Sequence, residues 1–153
     1  MPCTTTSVSL IYDIHGDQTG EFEFECGGKC EEHEGPKKRC DWAQYFSHDP
    51  EEPIVICCAC VSVFDGGKVE RITQSKPAGK LTHCEDSIAL RVKTSKKGDQ
   101  EVRELEPFCR GGCDDAKFTC TREVKEDWQI LEEPGRRPRM VQVKKYTCVC
   151  KIA

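Results

Sequence analysis

Along the first residues apolar side chains take every second position. Val8, Leu10, Tyr12 and Ile14 are separated by mostly polar neighbours, the pattern of a half-buried strand. Residues 15–20, His-Gly-Asp-Gln-Thr-Gly, read as a turn, and Phe22 and Phe24 resume the alternation. A β-hairpin is predicted. The same order of events returns later: Ile88, Leu90 and Val92 alternate, residues 96–100 turn, and Val102 and Leu105 come back. Residues 54–56 and 140–143 also read as extended. Residues 128–131 and 140–146 predict a long hairpin with its tip at 134–139, whereas the matching excursion, residues 41–56, is much shorter. Asp65-Gly-Gly67 sits between short apolar runs and predicts another small hairpin. Residues 75–79, Ser-Lys-Pro-Ala-Gly, read as a joint. No long 3.6-residue apolar stripe exists, so helices are not expected.

The repetition extends to cysteine. Cys3, Cys26-Gly-Gly-Lys-Cys30, Cys40 and Cys58-Ala-Cys60 are followed by Cys84, Cys109-Arg-Gly-Gly-Cys113, Cys120 and Cys148-Val-Cys150. Twelve of the thirteen cysteines fall into these two copies, leaving Cys57. Ser7-Val-Ser-Leu10 after Cys3 recurs as Ser87-Ile-Ala-Leu90 after Cys84, and Gly16-Asp-Gln18 as Gly98-Asp-Gln100. The chain therefore reads as a tandem duplication: a first unit at 1–60, a connecting hairpin and linker at 61–83, and a second unit at 84–153.

Composition supports that division. Hydrophobic residues make up 37%, cysteine included, too little for units of roughly 60–70 residues to stand on apolar cores alone. Covalent cross-links are the usual remedy at that size. Cysteine at this density implies an oxidising compartment. No secretory leader is visible at the start of the chain, so extracellular residence is expected with a leader removed or replaced. No apolar run is long enough for a transmembrane helix. Asn is absent, and with it any N-linked glycosylation site. Charge is uneven: residues 1–60 carry 4 basic and 12 acidic groups, residues 84–153 carry 15 basic and 13 acidic groups. That asymmetry can orient an encounter with a partner.

If each Cys-x-Gly-x-Cys were clamped to its downstream Cys-x-Cys, two short backbone segments and two disulfides would close a small ring. Gly28 and Gly111, lacking a Cβ, would leave room inside it for a third bond. The pattern resembles the growth-factor type of cystine knot. That superfamily includes glycoprotein hormones, bursicon-like and DAN-like proteins, the C-terminal knots of mucins, and the platelet-derived and vascular growth factors. The resemblance implies an all-β, small disulfide-rich fold of two tandem cystine-knot units built from β-hairpin fingers. It implies the bonds Cys3–Cys40, Cys26–Cys58 and Cys30–Cys60 in the first unit, and Cys84–Cys120, Cys109–Cys148 and Cys113–Cys150 in the second. It further implies fingers at 4–25, 41–57, 85–108 and 121–147, with heels at 31–39 and 114–119. Spacing alone leaves other connectivities open, and Cys57 and Cys58 could exchange roles. A leftover thiol in a secreted protein suggests that Cys57 makes an intermolecular disulfide; the alternative is a buried, unreactive thiol.

Catalysis finds no support, because His15, His33, His48 and His83 lack an acid–base setting. No cofactor is expected. A zinc site could draw on Cys26, Cys30, Cys40 and one of residues 57–60, but the short Cys-x-x-Cys knuckle is missing, and no metal is expected. The expected function is a secreted, pseudo-dimeric signalling ligand or antagonist that meets an extracellular receptor or ligand. Candidate contact residues are Trp128, Arg136, Arg137 and Arg139 on the long finger and Trp42, Tyr45 and Phe46 elsewhere, since aromatic and arginine side chains often dominate interfaces. The tryptophans could equally pack between the units. The arginines could also bind a sulfated polysaccharide or form a dibasic processing site. The competing expectation is a disulfide-linked structural, mucus, silk or adhesive protein, or a venom or defence protein. Nucleic acid is excluded by the acidic balance.

Overall fold

The computed structural model describes residues 3–31, 37–46, 54–73 and 83–152. The expected joint at 75–79, the tip of the first unit's second finger and most of its heel lie outside those residues. The described chain is an all-β, disulfide-rich protein. Nine strands follow in order: β1 (Thr4–Tyr12), β2 (Gln18–Gly27), β3 (Lys38–Phe46), β4 (Ile54–Ser62), β5 (Ile72–Thr73), β6 (Ile88–Lys97), β7 (Gln100–Cys109), β8 (Phe118–Leu131) and β9 (Arg139–Ile152). Among the described residues a 3-10 turn at Cys84–Asp86 is the only departure from extended structure large enough to count as an element.

Four long antiparallel hairpins account for most of the chain. β1 pairs with β2, β3 with β4, β6 with β7 and β8 with β9. The first turn begins earlier than the sequence suggests. Asp13 Oδ1 accepts the amides of His15 and Asp17 at 2.8 and 3.0 Å, an Asx-type closure. Gly20 then lies inside β2, where a register shift opposite residues 10–12 needs its positive φ of 85°. The connecting hairpin forms around residues 65–67, with Val63 bridged to Val69, and it delivers β5 as a parallel strand beside β3.

The hairpins assemble into two sheets, with strand orders β2-β1-β9-β8 and β5-β3-β4-β6-β7. Neither sheet belongs to one half of the chain. The first hairpin of the first half joins the second hairpin of the second half through β1 and β9. The second hairpin of the first half joins the first hairpin of the second half through β4 and β6. The exchange is reciprocal, as across a two-fold axis.

Alternation along the strands then fills two cores. Val8, Leu10 and Tyr146 from one sheet meet Ile56, Ile88 and Leu90 from the other, with Cys84 and Cys148 among them. Leu10 and Leu90 are essentially inaccessible, and burying each stabilises the fold by on the order of 2 kcal/mol. Ala43, Tyr45, Val55, Cys57, Val61 and Ala89 form a second cluster on the other face of the five-stranded sheet. Ile88, Ala89 and Leu90 are therefore all buried in succession: β6 is covered on both faces where the halves join.

Candidate binding surface on the long finger

Six disulfides anchor the hairpins at one end: Cys3–Cys40, Cys26–Cys58, Cys30–Cys60, Cys84–Cys120, Cys109–Cys148 and Cys113–Cys150. None crosses between halves. In each half two bonds tie a Cys-x-Gly-x-Cys segment to a Cys-x-Cys segment. In the second half Cys84 Sγ lies within 4.8 Å of the sulfurs of Cys113 and Cys150, and Cys120 Sγ within 4.8 Å of those of Cys109 and Cys148. The remaining bond thus sits between the other two. In the first half Cys40 Sγ lies 3.6 Å from the Gly27 carbonyl oxygen, against the short segment itself.

Strand geometry separates Cys57 from Cys58. Side chains alternate between faces, so Cys58 and Cys60 point into the cross-linked end while Cys57 points to the opposite face of β4. There it is 6% exposed among Ala43, Tyr45, Val55 and Ala89. Burial pushes its thiol up to about 11, against a smaller pull from Arg110, so little thiolate exists near neutrality. Within the chain Cys57 is a buried free thiol, the alternative to the expected intermolecular bridge. Of the cysteines that a zinc site would recruit, Cys26, Cys30 and Cys40 are bonded to Cys58, Cys60 and Cys3, and Cys57 alone keeps its thiol.

The aromatic trio of β3 is divided by the same alternation. Trp42 faces the sandwich interior, edge-on to Phe22 at 5.1 Å. The Arg71 guanidinium lies 4.2 Å from its ring centre, and Arg71 also pairs with Asp41 at 2.9 Å. Tyr45 is buried on the other face, its hydroxyl pushed up to about 12 chiefly by desolvation. Phe46 alone is exposed, at the strand end. The three residues do not form one contact patch.

The long finger behaves differently. On β8 and β9 the even-numbered residues continue the face that builds the core, through Tyr146 and Lys144 toward the tip. The five-stranded sheet does not reach that far. Val124, Trp128, Ile130 and Met140 are left 46%, 53%, 62% and 53% exposed, with Ile130 directly opposite Met140. Val124, Ile130 and Met140 were not singled out from the sequence, although their spacing with Trp128 carried the signal. At the tip Pro134 and Gly135, φ 78°, occupy the central positions of a turn that suits them. Arg136 pairs with Glu133 at 3.4 Å. Arg139 reaches Glu21 of β2 at 2.6 Å and Glu133 at 3.7 Å. Arg137 is exposed with no carboxylate in ion-pair range among the described residues. The basic triplet is thus largely balanced by neighbouring acids.

No family model matches the chain, and no curated protein or solved structure is detectably similar to it.

Acidic residues of the first half instead find their partners in the second. Arg139 binds Glu21, Lys145 binds Glu25 at 3.2 Å, and Lys97 lies 3.8 Å from Asp17. Gln18 contributes a link that composition does not reveal: its Nε2 donates to the Leu105 carbonyl at 2.7 Å, and its Oε1 accepts the Leu105 amide at 2.8 Å. One side chain of β2 thereby extends the edge of β7. Part of the charge asymmetry is spent inside the molecule.

Proposed function

We propose that the chain is a secreted binding protein, a pseudo-dimer of growth-factor-type cystine knots that acts as a signalling ligand or antagonist. The disulfide between two others at the closed end of the second half supports a threaded bond. Reciprocal hairpin pairing supports a built-in dimer, in which joining the units in one chain removes most of the translational cost of pairing. Six disulfides, with no helix long and apolar enough to cross a membrane among the described residues, support an extracellular setting.

The observation that carries a binding role is the uncovered core-type face of the long finger. Trp128, Ile130 and Met140 project from a rigid strand pair, where a partner would desolvate them at small entropic cost. The fluorescently labelled chain should bind saturably to a subset of extracellular receptor domains or knot-type growth factors. Trp128→Ala should weaken that binding at least about tenfold, with unchanged circular dichroism. Phe46→Ala, on a separate surface, should not. Non-saturable self-deposition without any specific partner would instead favour a structural or adhesive protein.

A further inference from the structure

We propose that β8 is the edge through which two copies of this chain pair, antiparallel and about Val124, to give one sheet continuous across both molecules. The inference does not rest on the receptor reading.

Of the two sheets' outer strands, β8 is the one whose sequence accepts a copy of itself. β2 carries Glu21, Glu23 and Glu25 on alternate positions, so self-pairing there stacks like charges. β7 contains Pro107, which has no N–H to give, and Glu104 and Glu106 beside it. β5 covers the edge of β3. These are ordinary ways of blunting an edge. β8 runs from Phe118 to Leu131, and among the described residues it has β9 on one side and no strand on the other.

With Val124 opposite Val124 of the second copy, Glu123 faces Lys125 and Arg122 faces Glu126. Phe118 falls opposite Ile130 and Cys120 opposite Trp128. A two-fold axis produces every pair twice. Centring instead on residue 123 sets Glu123 against itself, and centring on residue 125 sets Lys125 against itself and Glu123 against Asp127. Charge therefore selects one register among its neighbours.

A second observation points the same way. Within the chain Lys125 stands directly opposite Lys145, an unfavourable pair. Lys145 turns to Glu25, and among the described residues no carboxylate lies within ion-pair distance of Lys125. Glu123 of a second copy, which within its own chain lies 2.6 Å from Lys151, supplies the missing acid. Pairing also joins the exposed Val124, Trp128 and Ile130 to Phe118 and Val124 of the other copy in one apolar band. The contact is isologous and closes as a dimer, not a fibre.

Sedimentation velocity of the full disulfide-bonded chain tests this. A concentration-dependent dimer is expected. Glu123→Lys and Lys125→Glu should each weaken it at least about tenfold, because each reversal turns two attractive pairs repulsive. The double variant, Glu123→Lys with Lys125→Glu, should restore it. Circular dichroism and the count of intact disulfides establish that each variant is folded. A wild-type monomer at every concentration overturns the proposal. So does a dimer that survives both single reversals, which would place the contact on another face, or a double variant that stays monomeric.

Discussion

The two seams that join the halves are counterparts, yet they are unequal. β1 and β9 are in register over five residue pairs, from Val8↔Tyr146 to Tyr12↔Gln142. β4 and β6 share two, Val55↔Arg91 and Ile56↔Leu90. Their registers also differ. Val8 corresponds to Ile88 and Tyr146 to Ile56 in the duplicated pattern, so strict symmetry would set Ile88 against Ile56. Leu90 stands there instead, two residues along. A shift of two keeps every side chain on its face, so both seams still send leucine into the same core. β9 has fourteen described residues and β4 nine, and of the nine only Val55 and Ile56 pair with β6. Gln18 and Lys97 add further links between the halves on the other side of β6, at the outer edge of β7 and near the β6–β7 turn.

The cross-links give the largest test of that comparison. Cys3–Cys40 and Cys84–Cys120 close loops of similar length, with separations of 37 and 36. Loop entropy alone assigns each about 3–4 kcal/mol. Replacing Cys84 and Cys120 by Ala should cost more than replacing Cys3 and Cys40, since Cys84 is fully buried where both sheets meet. Thermal unfolding of the two variants reads the difference, and equal losses would mean that the closed ends pack alike.

Leu10→Ala and Leu90→Ala probe the seams themselves. Each should lose about 3 kcal/mol in denaturant titrations. Leu90 should be the more costly, because its seam has fewer paired residues with which to close the cavity. Gln18→Ala should cost about 1–2 kcal/mol, the net value of two hydrogen bonds. Hydrogen exchange should then rise at Leu105 while the β1–β9 amides stay protected.

The smallest effect is on the acid side. Glu106 is held below the ordinary glutamate value of 4.5 chiefly by its hydrogen bond from Arg91, against partial desolvation and with help from Lys93. Partial burial opposes ionisation of Asp41, but Arg71, the Trp42 amide and Arg39 outweigh it and hold it below 3.8. Both carboxylates are depressed, so the unfolded chain binds more protons as the medium becomes acid. Their contribution is complete above the ordinary values and is lost as pH falls below them. Glu106→Gln and Asp41→Asn should each flatten the acid limb of the stability curve by up to about 1 kcal/mol.

Alternation and repeated cysteines by themselves determined the fold class, the hairpins and the duplication, because a strand's two faces and the reach of a disulfide are local properties. Period two also separated Cys57 from Cys58 and Tyr45 from Trp42, a signal present in the residues but legible only once each strand's buried face was known. Tertiary structure alone decided that each sheet is shared between halves, that Glu21, Glu25 and Gln18 serve the opposite half, and that the core-type face of β8 outruns its cover. Periodicity says which way a side chain points. It does not say which strand lies alongside, since backbone hydrogen bonds are nearly the same for every sequence and the choice of neighbour is made by packing over long separations.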